Sequence, residues 1–265
     1  MKKSIKSRLF KGLSILSPLF TKTGLAILTY HTIDESGSVI SASLVDFKRQ
    51  MDYLKDNNYI IFSLEEAVFH IKNKIKFPKK AIAITFDDGY KNNYLLAYPI
   101  LKQYNFKATI FLTTDYIGNR NAWPYQNKPY PNLEMLSWEE IIEMSNNGID
   151  FGAHTQSHPF LTKISSEKAQ QQIINSKKII EGYINKPVKL FSYPFGDFNS
   201  DVMKIVRDNG FIGACSSLFG RVGLKSNIYS LERIDMGYVF DLTSFKVLIS
   251  SKPFFYHVLR WERKL

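Results

Sequence analysis

Short apolar runs alternate with segments of helical periodicity along most of the chain, and this alternation constrains the fold more than any other feature. The apolar runs predict strands over residues 25–30, 59–62, 81–86, 108–112, 149–153, 188–193, 211–216 and 229–234. Helices are predicted between them over residues 44–54, 64–75, 95–101, from Ser137, 165–183, 201–208 and 241–249. About seven or eight such strand–helix units predict an α/β fold with parallel strands, arranged as one barrel or one large sheet.

The composition is that of a folded protein with a sizeable core. Among the 265 residues, 45% are apolar and 22% are charged, which excludes global disorder. Cys215 is the single cysteine, so the chain can form neither an internal disulfide nor a cysteine-based zinc site. No apolar run reaches the roughly 18–20 residues that a membrane-spanning helix needs.

The positive charge is concentrated at the two ends of the sequence. The formal net charge is +11, of which residues 1–22 contribute +6 and residues 252–265 contribute +3. The body between them therefore carries only about +2. A nucleic-acid groove needs its charge along the body, so no nucleic-acid partner is predicted.

Both ends combine basic and apolar residues. In residues 1–22 the apolar side chains recur every three or four positions, at Ile5, Leu9, Leu13, Leu16 and Phe20. This pattern predicts a basic amphipathic N-terminal segment that lies on an anionic membrane surface. A cleaved signal peptide and an ordinary helix packed on the body are the alternatives. Residues 252–265 form a basic aromatic C-terminal tail, which suits lipid headgroups or caps the body.

Polar groups with metal and acid–base chemistry follow four of the predicted strands. They are Tyr30-His31, Asp87-Asp88-Gly89, His154 with His158, and Pro194-Phe195-Gly196. The carboxyl ends of parallel strands meet at one edge, so we expect these groups to converge. One carboxylate and two imidazoles would make a divalent-metal site with open positions. The spacing of the two histidines predicts that they share one side of a helical turn. Taken singly, the acidic pair could be a capped turn and the histidines solvated loop residues.

Thr85-Phe86-Asp87-Asp88-Gly89, followed by His154-x-x-x-His158-Pro159, resembles the polysaccharide deacetylase family, also called the NodB-homology family or carbohydrate esterase family 4. The resemblance covers about residues 25–235 and implies a distorted (β/α) barrel of about seven parallel strands. It implies that residues 23–251 are a catalytic domain with metal-dependent N-deacetylase activity, zinc being the expected metal. It also implies that Asp87 is the general base and that Asp88, His154 and His158 bind the metal.

The sequence departs from that family at its third motif. The motif normally begins with an arginine that holds the base, whereas this chain has Ser192 in front of Tyr193-Pro194-Phe195. Arg233, at the end of the last predicted strand, either supplies the missing charge or is a surface cation paired with an acidic neighbour.

A second departure is the lack of the family's C-terminal Leu-x-His motif. Leu28-Thr29-Tyr30-His31 instead resembles a permuted branch, as in poly-N-acetylglucosamine deacetylases. The resemblance implies that His31 is the general acid. The alternative is a core histidine bonded to a neighbouring backbone group.

The expected reaction is hydrolysis of an acetamide. Asp87 would take a proton from a metal-activated water, the N–H of Phe195 would bind the oxyanion, and His31 would protonate the leaving amine. Tyr193, Pro194 and Trp123 are expected at the substrate. Trp123 belongs to an aromatic insertion over residues 115–132, which otherwise packs on itself.

The basic ends favour an N-acetylated sugar on a lipid carrier such as undecaprenyl phosphate, in lipid A or surface-glycan biosynthesis. An exported polysaccharide or peptidoglycan is the alternative substrate. A catalytically silent glycan-binding module is the alternative of another class, although such a module needs no base beside a metal ligand. The expected location is peripheral on the bacterial inner membrane, with the cytoplasmic face favoured over the periplasmic one.

Overall fold

The computed structural model describes residues 24–123, 131–239 and 241–250. The predicted N-terminal segment 1–22, the C-terminal tail 252–265 and part of the 115–132 insertion lie outside these ranges. Within them, no helix combines the length and the apolar character needed to cross a bilayer.

The strands of the described ranges build one barrel and a small ladder beside it. In chain order they are β1 (Ala26–Tyr30), β2 (Thr32–Ile33), β3 (Ser41–Ala42), β4 (Ile60–Phe62), β5 (Ala81–Phe86), β6 (Thr109–Leu112), β7 (Asp150–Ala153), β8 (Leu190–Ser192), β9 (Gly213–Phe219) and β10 (Leu231–Asp235). Strands β1, β10, β9, β8, β7, β6 and β5 pair in that order, and β5 also pairs with β1. These 7 parallel strands close a barrel, which confirms the predicted fold.

β4 is the predicted strand that stays outside the closed ring. It pairs with the first half of β5, where Ile60 lies opposite Ala81 and Phe62 opposite Ala83. β6 pairs with the second half of the same edge, at Thr85 and Phe86. The sequence did not predict β2 and β3, which pair with each other beside the carboxyl end of β1.

Helices cover the outside of the barrel, and most begin at a capping side chain. They are α1 (Leu44–Asp56), α2 (Leu64–Lys72), α3 (Tyr98–Tyr104), α4 (Trp138–Asn146), α5 (Ser166–Ile184), α6 (Ser200–Asp208) and α7 (Leu242–Ile249). Ser63 and Ser137 each form a complete capping box with a glutamate three residues on. The sequence predicted the box at Ser137.

Two helices differ from their predicted extents for local reasons. The helix expected over 95–101 is a π-helical turn, Asn93–Ala97, followed by α3. Pro99 lies in the first turn of α3 and has no N–H to donate to the preceding turn, which favours this wider turn. The helix expected over 64–75 ends at Lys72, and Lys74 takes a positive φ of 57°.

The barrel interior is apolar at its lower end and polar at its upper end. Alternate residues of each strand point inward, and the inward apolar residues include Ile27, Ala83 and Phe111. One step higher on β1 and β5, the inward residues Thr29 and Thr85 are hydrogen-bonded to each other. The strands therefore run from a closed apolar floor to a polar rim, where their carboxyl ends meet.

Gly152 leaves the space that the Phe111 ring occupies in the apolar lower end of the barrel. A β-carbon at Gly152 would lie 2.4 Å from the Phe111 ring and 3.0 Å from the Leu190 carbonyl oxygen. We predict that Gly152→Ala lowers the free energy of unfolding by about 1–3 kcal/mol, because the Phe111 ring must shift within a packed interior. Chemical denaturation measures this change.

Gly182→Ala is the matched control, since a β-carbon there meets no atom within 4 Å. Gly182 lies in α5, where alanine is the better helix former, so the control should be neutral or stabilising by up to about 1 kcal/mol. Equal destabilisation by both substitutions would contradict the packing argument.

Candidate active site

The polar rim is built by side chains that follow the inward alternation of neighbouring strands. Asp87 continues the inward face of β5 beyond Thr85, Ser192 ends the inward face of β8, and Arg233 lies inward on β10. All three are buried. The strand ends therefore bring together groups that lie more than 100 residues apart in the sequence.

The turn after β5 separates its two carboxylates. Asp88 has a φ of 76° and Gly89 a φ of 89°, so the chain passes through the left-handed region at two successive residues. Aspartate is one of the few non-glycine residues that adopts this region readily. A β-carbon at Gly89 would lie 2.8 Å from Leu112, so the second position also requires glycine for space. The turn directs Asp87 to Arg233 and Asp88 to the two histidines.

Asp88, His154 and His158 are the group among the described residues that could hold a metal ion, and they form the candidate metal-ligand set. Each histidine Nε2 lies 3.3 Å from Asp88 Oδ1, and the two Nε2 atoms are 3.2 Å apart. Ligand atoms at about 2.0–2.1 Å from a tetrahedral zinc ion are about 3.3–3.4 Å apart, so the three atoms match one face of such a coordination shell. The residues present fit a divalent metal.

Backbone groups and the loop conformation orient the two histidine rings. His154 Nδ1 donates to the Ser192 carbonyl oxygen at 2.7 Å, so its Nε2 lone pair is free for a metal. The expected helical turn is absent: Thr155 and His158 have positive φ values of 69° and 58°, and an irregular loop connects the ligands. The His158 N–H donates to Thr155 Oγ1, which fixes this loop instead of a helical hydrogen bond.

Burial and neighbouring charges shift the pKa of each residue in this group. Burial opposes ionisation of Asp88, but its hydrogen bonds with both histidines hold the pKa of this carboxyl well below its usual range. Burial also opposes a charge on His154, yet the adjacent carboxylates raise its pKa. The pKa of His158 is lowered, because burial outweighs the attraction of Asp88. The cluster thus supplies an ionised oxygen ligand next to two imidazoles.

Asp87 is not part of the metal-ligand set and has a separate partner. Arg233 donates to its two carboxylate oxygens at 2.8 and 2.6 Å, a bidentate ion pair with both side chains buried. The hydroxyl of Ser192 donates to Asp87 and accepts from Arg233. Burial would raise the pKa of Asp87, but the Arg233 guanidinium holds it below its usual value. Arg233 therefore stands in the interior, not at the surface.

His31 directly follows β1, and Asp235 is the last residue of β10. Both line a cleft of about 240 Å³ that also contains Asp87 and the metal-ligand set. His31 Nδ1 is buried without a hydrogen-bond partner among the described residues. Burial raises the pKa of Asp235, and the nearby His31 opposes that rise. No sequence motif singled out Asp235, although it is the next inward residue of β10 after Arg233.

The third motif shapes the rim through its backbone. Pro194 is buried and begins a short 3-10 turn in which Phe195 has a φ of 58°. The first hydrogen bond of this turn is donated by Gly196, so the turn itself does not use the Phe195 N–H. The Phe195 side chain is 36% exposed and stacks on Phe160 at 4.1 Å between ring centroids.

Tyr193 and Trp123 are less open than expected for sugar-stacking side chains. The Tyr193 side chain is buried, and its hydroxyl donates to the Tyr229 carbonyl oxygen at 2.9 Å. Trp123 is 5% exposed, and its ring lies 4.8 Å from the His158 ring. Both residues line the cleft, but their rings mainly support the motif backbone and a metal ligand.

A larger hollow of about 430 Å³ lies elsewhere, along the chain between β9 and β10. Arg221, Lys225 and Glu232 contribute to its lining. No metal-ligand set occurs there among the residues that the structure describes. The smaller cleft at the strand ends is therefore the candidate active site.

Sequence comparison identifies one family. The family model described as Polysaccharide deacetylase matches residues 74–214. The poly-β-1,6-N-acetyl-D-glucosamine N-deacetylase of Staphylococcus aureus strain MRSA252 is 30% identical over an alignment of 231 residues, and the match covers 84% of this chain and 72% of the relative.

Solved structures share the fold. Streptococcus pyogenes deacetylase PplD, in complex with acetate, matches with a TM-score of 0.75 at 24% identity, over 87% of this chain and 99% of that chain. IcaB from Ammonifex degensii also matches with a TM-score of 0.75, at 23% identity, over 87% and 98% of the two chains. At these identities the two matches support the barrel architecture alone.

The ligand set predicts how metal affinity responds to substitution. His158→Gln removes one of three converging donors, so we expect the affinity for Zn²⁺ to fall by at least roughly 100-fold. Isothermal titration of the metal-free protein measures this. Affinity should also weaken as the pH falls, because imidazole binds metal only in its neutral form.

His70→Gln is the matched control, since His70 lies on α2 and stacks on Phe77, far from the strand ends. The control should bind Zn²⁺ as the parent does. An unchanged affinity of His158→Gln would show that the three side chains do not act as one site.

Proposed function

The chain belongs to the polysaccharide deacetylase family and is a carbohydrate N-deacetylase, and we propose that it hydrolyses the acetamide of N-acetylated amino sugars with a metal held by Asp88, His154 and His158. The observation that carries this proposal is that the two adjacent aspartates have different partners. Asp88 faces the two histidines, whereas Asp87 lies beside that set and is paired with Arg233. A site that only bound a metal would not need the second carboxylate.

The proposed metal is zinc, because the ligand atoms match a tetrahedral face and one carboxylate with two imidazoles is a common zinc set. When bound, such an ion supplies a Lewis acid and lowers the pKa of water in its open position to about 7. The protein must then provide a proton acceptor, a donor for the leaving amine and a hydrogen bond for the oxyanion.

Asp87 is the proposed proton acceptor. Its ion pair with Arg233 keeps the carboxylate charged and fixed, so it is ready to accept a proton at neutral pH. The Ser192 hydroxyl adds a third hydrogen bond to the same group. Arg233 is thus proposed as a positioning residue that replaces the arginine expected at position 192.

His31 and Phe195 are the proposed groups for the rest of the reaction. His31 lines the cleft beside Asp87 and is the proposed donor of a proton to the leaving amine. Asp235 lines the same cleft and is proposed to position the His31 imidazole. The unused N–H of Phe195 is the proposed hydrogen-bond donor to the oxyanion. The assignment of the chain to a permuted branch of the family stays a prediction.

The favoured substrate is an exported polysaccharide that contains N-acetylglucosamine. This proposal is supported by the Staphylococcus aureus relative, whose name specifies poly-β-1,6-N-acetyl-D-glucosamine. The half-exposed Phe195 ring, stacked on Phe160 at the rim, offers an apolar surface to a sugar face. Peptidoglycan is a related polymer with the same acetamide group.

A lipid-linked sugar, such as one on undecaprenyl phosphate, is the second candidate substrate. The observation that favours it is the placement of +6 in residues 1–22 and +3 in residues 252–265, at ends that also carry apolar residues. A peripheral location on the inner membrane is proposed with it, on the cytoplasmic face first and the periplasmic face second. Acetate release from a soluble β-1,6-linked oligomer, compared with a polyprenyl-linked sugar, separates the two substrates.

The role of Asp87 gives a test of catalysis. We predict that Asp87→Asn lowers kcat/KM for acetate release from N-acetylglucosamine oligomers by roughly 10²–10⁴-fold, because the proton acceptor is lost. Metal content should stay at the level of the parent, since Asp87 is outside the ligand set. Acetate release is measured before and after chelation and re-addition of Zn²⁺.

Asp150→Asn is a control for the loss of a partly buried carboxylate at the start of β7, away from the carboxyl ends of the strands. Full metal-dependent activity of Asp87→Asn would reject the proposed base. Absence of acetate release by the parent itself, with bound metal and sugar, would favour the glycan-binding alternative.

The ion pair predicts a shift in the pH profile. Arg233 lowers the pKa of Asp87, so its removal raises that pKa and leaves the base protonated over more of the acidic range. We therefore expect Arg233→Gln to move the acidic limb of the kcat/KM profile to higher pH. The same substitution leaves a buried carboxylate unpaired, which should lower the free energy of unfolding by about 3–5 kcal/mol.

Arg207→Gln is the matched control, because Arg207 pairs with Asp208 at the surface of α6. Its pH profile should equal that of the parent. An unmoved acidic limb in folded Arg233→Gln would contradict the assignment of Arg233 as the group that positions the base.

A further inference from the structure

The end of the barrel opposite the active site carries a dense run of lysines. Residues 72–80 connect the last residue of α2 to β5 and contain five lysines and no acidic residue: Lys72, Lys74, Lys76, Lys79 and Lys80. All five are exposed. None of them forms an ion pair with an acidic residue of the described ranges. Since β5 begins at Ala81, this run lies where the strands start, not where they end.

Three large apolar side chains are exposed around the same run. Ile60 is 50% exposed, Phe69 is 57% exposed and Ile75 is 41% exposed. Backbone hydrogen bonds connect two of them to the run and to α2: the Ile60 N–H donates to the Lys80 carbonyl oxygen, and the Ile75 N–H donates to the His70 carbonyl oxygen. The Phe69 ring lies 6.4 Å from the His70 ring. Single exposed apolar residues are ordinary, but a group of them among unpaired lysines indicates a contact surface.

The two ends of the described chain meet at this end of the barrel. Gly24 precedes β1, and Ile249 is the last residue of α7. The Arg221 guanidinium donates to both of their carbonyl oxygens, at 2.6 Å to Gly24 and 2.9 Å to Ile249. Lys74 Nζ donates to the Leu224 carbonyl oxygen three residues beyond Arg221, which connects this junction to the lysine run. The described chain therefore begins and ends near the same surface.

We propose that this surface, the basal face, docks on an anionic lipid bilayer through the lysines of residues 72–80 and through Ile60, Phe69 and Ile75. The lysines are complementary to anionic headgroups, and the apolar side chains can enter the interface between headgroups and acyl chains. A soluble polyanion would use the lysines but would leave the apolar side chains in water. Segment 1–22 is a poor cover for the face, because its +6 charge would lie against five unpaired lysines.

The test measures partition of the full chain between solution and vesicles, either of phosphatidylcholine alone or with phosphatidylglycerol added. The parent should bind the anionic vesicles more tightly, and less so at high salt. The variant with Lys74→Gln, Lys76→Gln and Lys79→Gln should lose roughly 100-fold in partition, at about fivefold for each lysine. Phe69→Ser should weaken partition without changing the net charge.

The control removes the same charge elsewhere on the surface, by Lys102→Gln, Lys168→Gln and Lys178→Gln on α3 and α5. It should bind the vesicles within about twofold of the parent, apart from weak long-range effects. Acetate release from a soluble oligomer should be unchanged in all of these variants, because every substituted residue lies away from the cleft. A loss of that activity would bear on the proposed reaction and not on docking.

Three outcomes would overturn the proposal. The basal lysine variant could bind anionic vesicles as the parent does. Phe69→Ser could have no effect while soluble polyphosphate binds with the same lysine dependence, which would identify a soluble polyanion as the partner. Lys2→Gln, Lys3→Gln and Lys6→Gln together could abolish all binding while the basal variant loses none, which would assign the contact to residues 1–22 alone.

Discussion

Two buried carboxylates at successive positions are the constraint on which the site depends. Asp87 and Asp88 would repel each other and resist burial unless each had its own compensation. The protein supplies two different ones: a guanidinium for Asp87, and two imidazoles with room for a cation for Asp88. The left-handed turn at Asp88 makes this division possible, because it sends the two side chains in different directions. One carboxylate thus faces the two imidazoles, while the other is held by Arg233 and Ser192.

Much of this arrangement could be predicted from the sequence. The apolar runs predicted the positions of the strands. Because parallel strands end at one edge, they also predicted that Asp87, His154 and Phe195 lie close together. The position of Arg233 could not be settled, since a cation on a strand next to two acidic residues is also typical of a surface. The register of β10 against β9 shifts between Leu231 and Arg233, and this irregularity is invisible in the sequence. Once β10 is placed, the same alternation that turns Arg233 inward also turns Asp235 inward.

The predictions that failed concern local backbone, which the tertiary contacts of the rim override. A four-residue spacing is compatible with a helical turn, but positive φ values at Thr155 and His158 turn the chain differently. The turn places both Nε2 atoms against Asp88 and leaves His154 Nδ1 for the Ser192 carbonyl oxygen. Trp123 was expected at the substrate; it lines the cleft and also packs on the His158 ring, so its substrate role stays a prediction. The contacts around the histidines therefore determine the local backbone more than the short sequence pattern does.

The proposed docking face and the cleft lie at opposite ends of the strands, and this separation bears on the choice of substrate. β5 has 6 residues, so the two ends are about 20 Å apart along the barrel. A protein seated on a bilayer by its basal face would hold the cleft well above the headgroups. A single sugar on a lipid carrier stays at headgroup level and would not reach it, whereas a long polysaccharide extends past it. Docking by the basal face and action on a polymer are therefore mutually consistent. A lipid-linked monosaccharide would require a different orientation on the membrane.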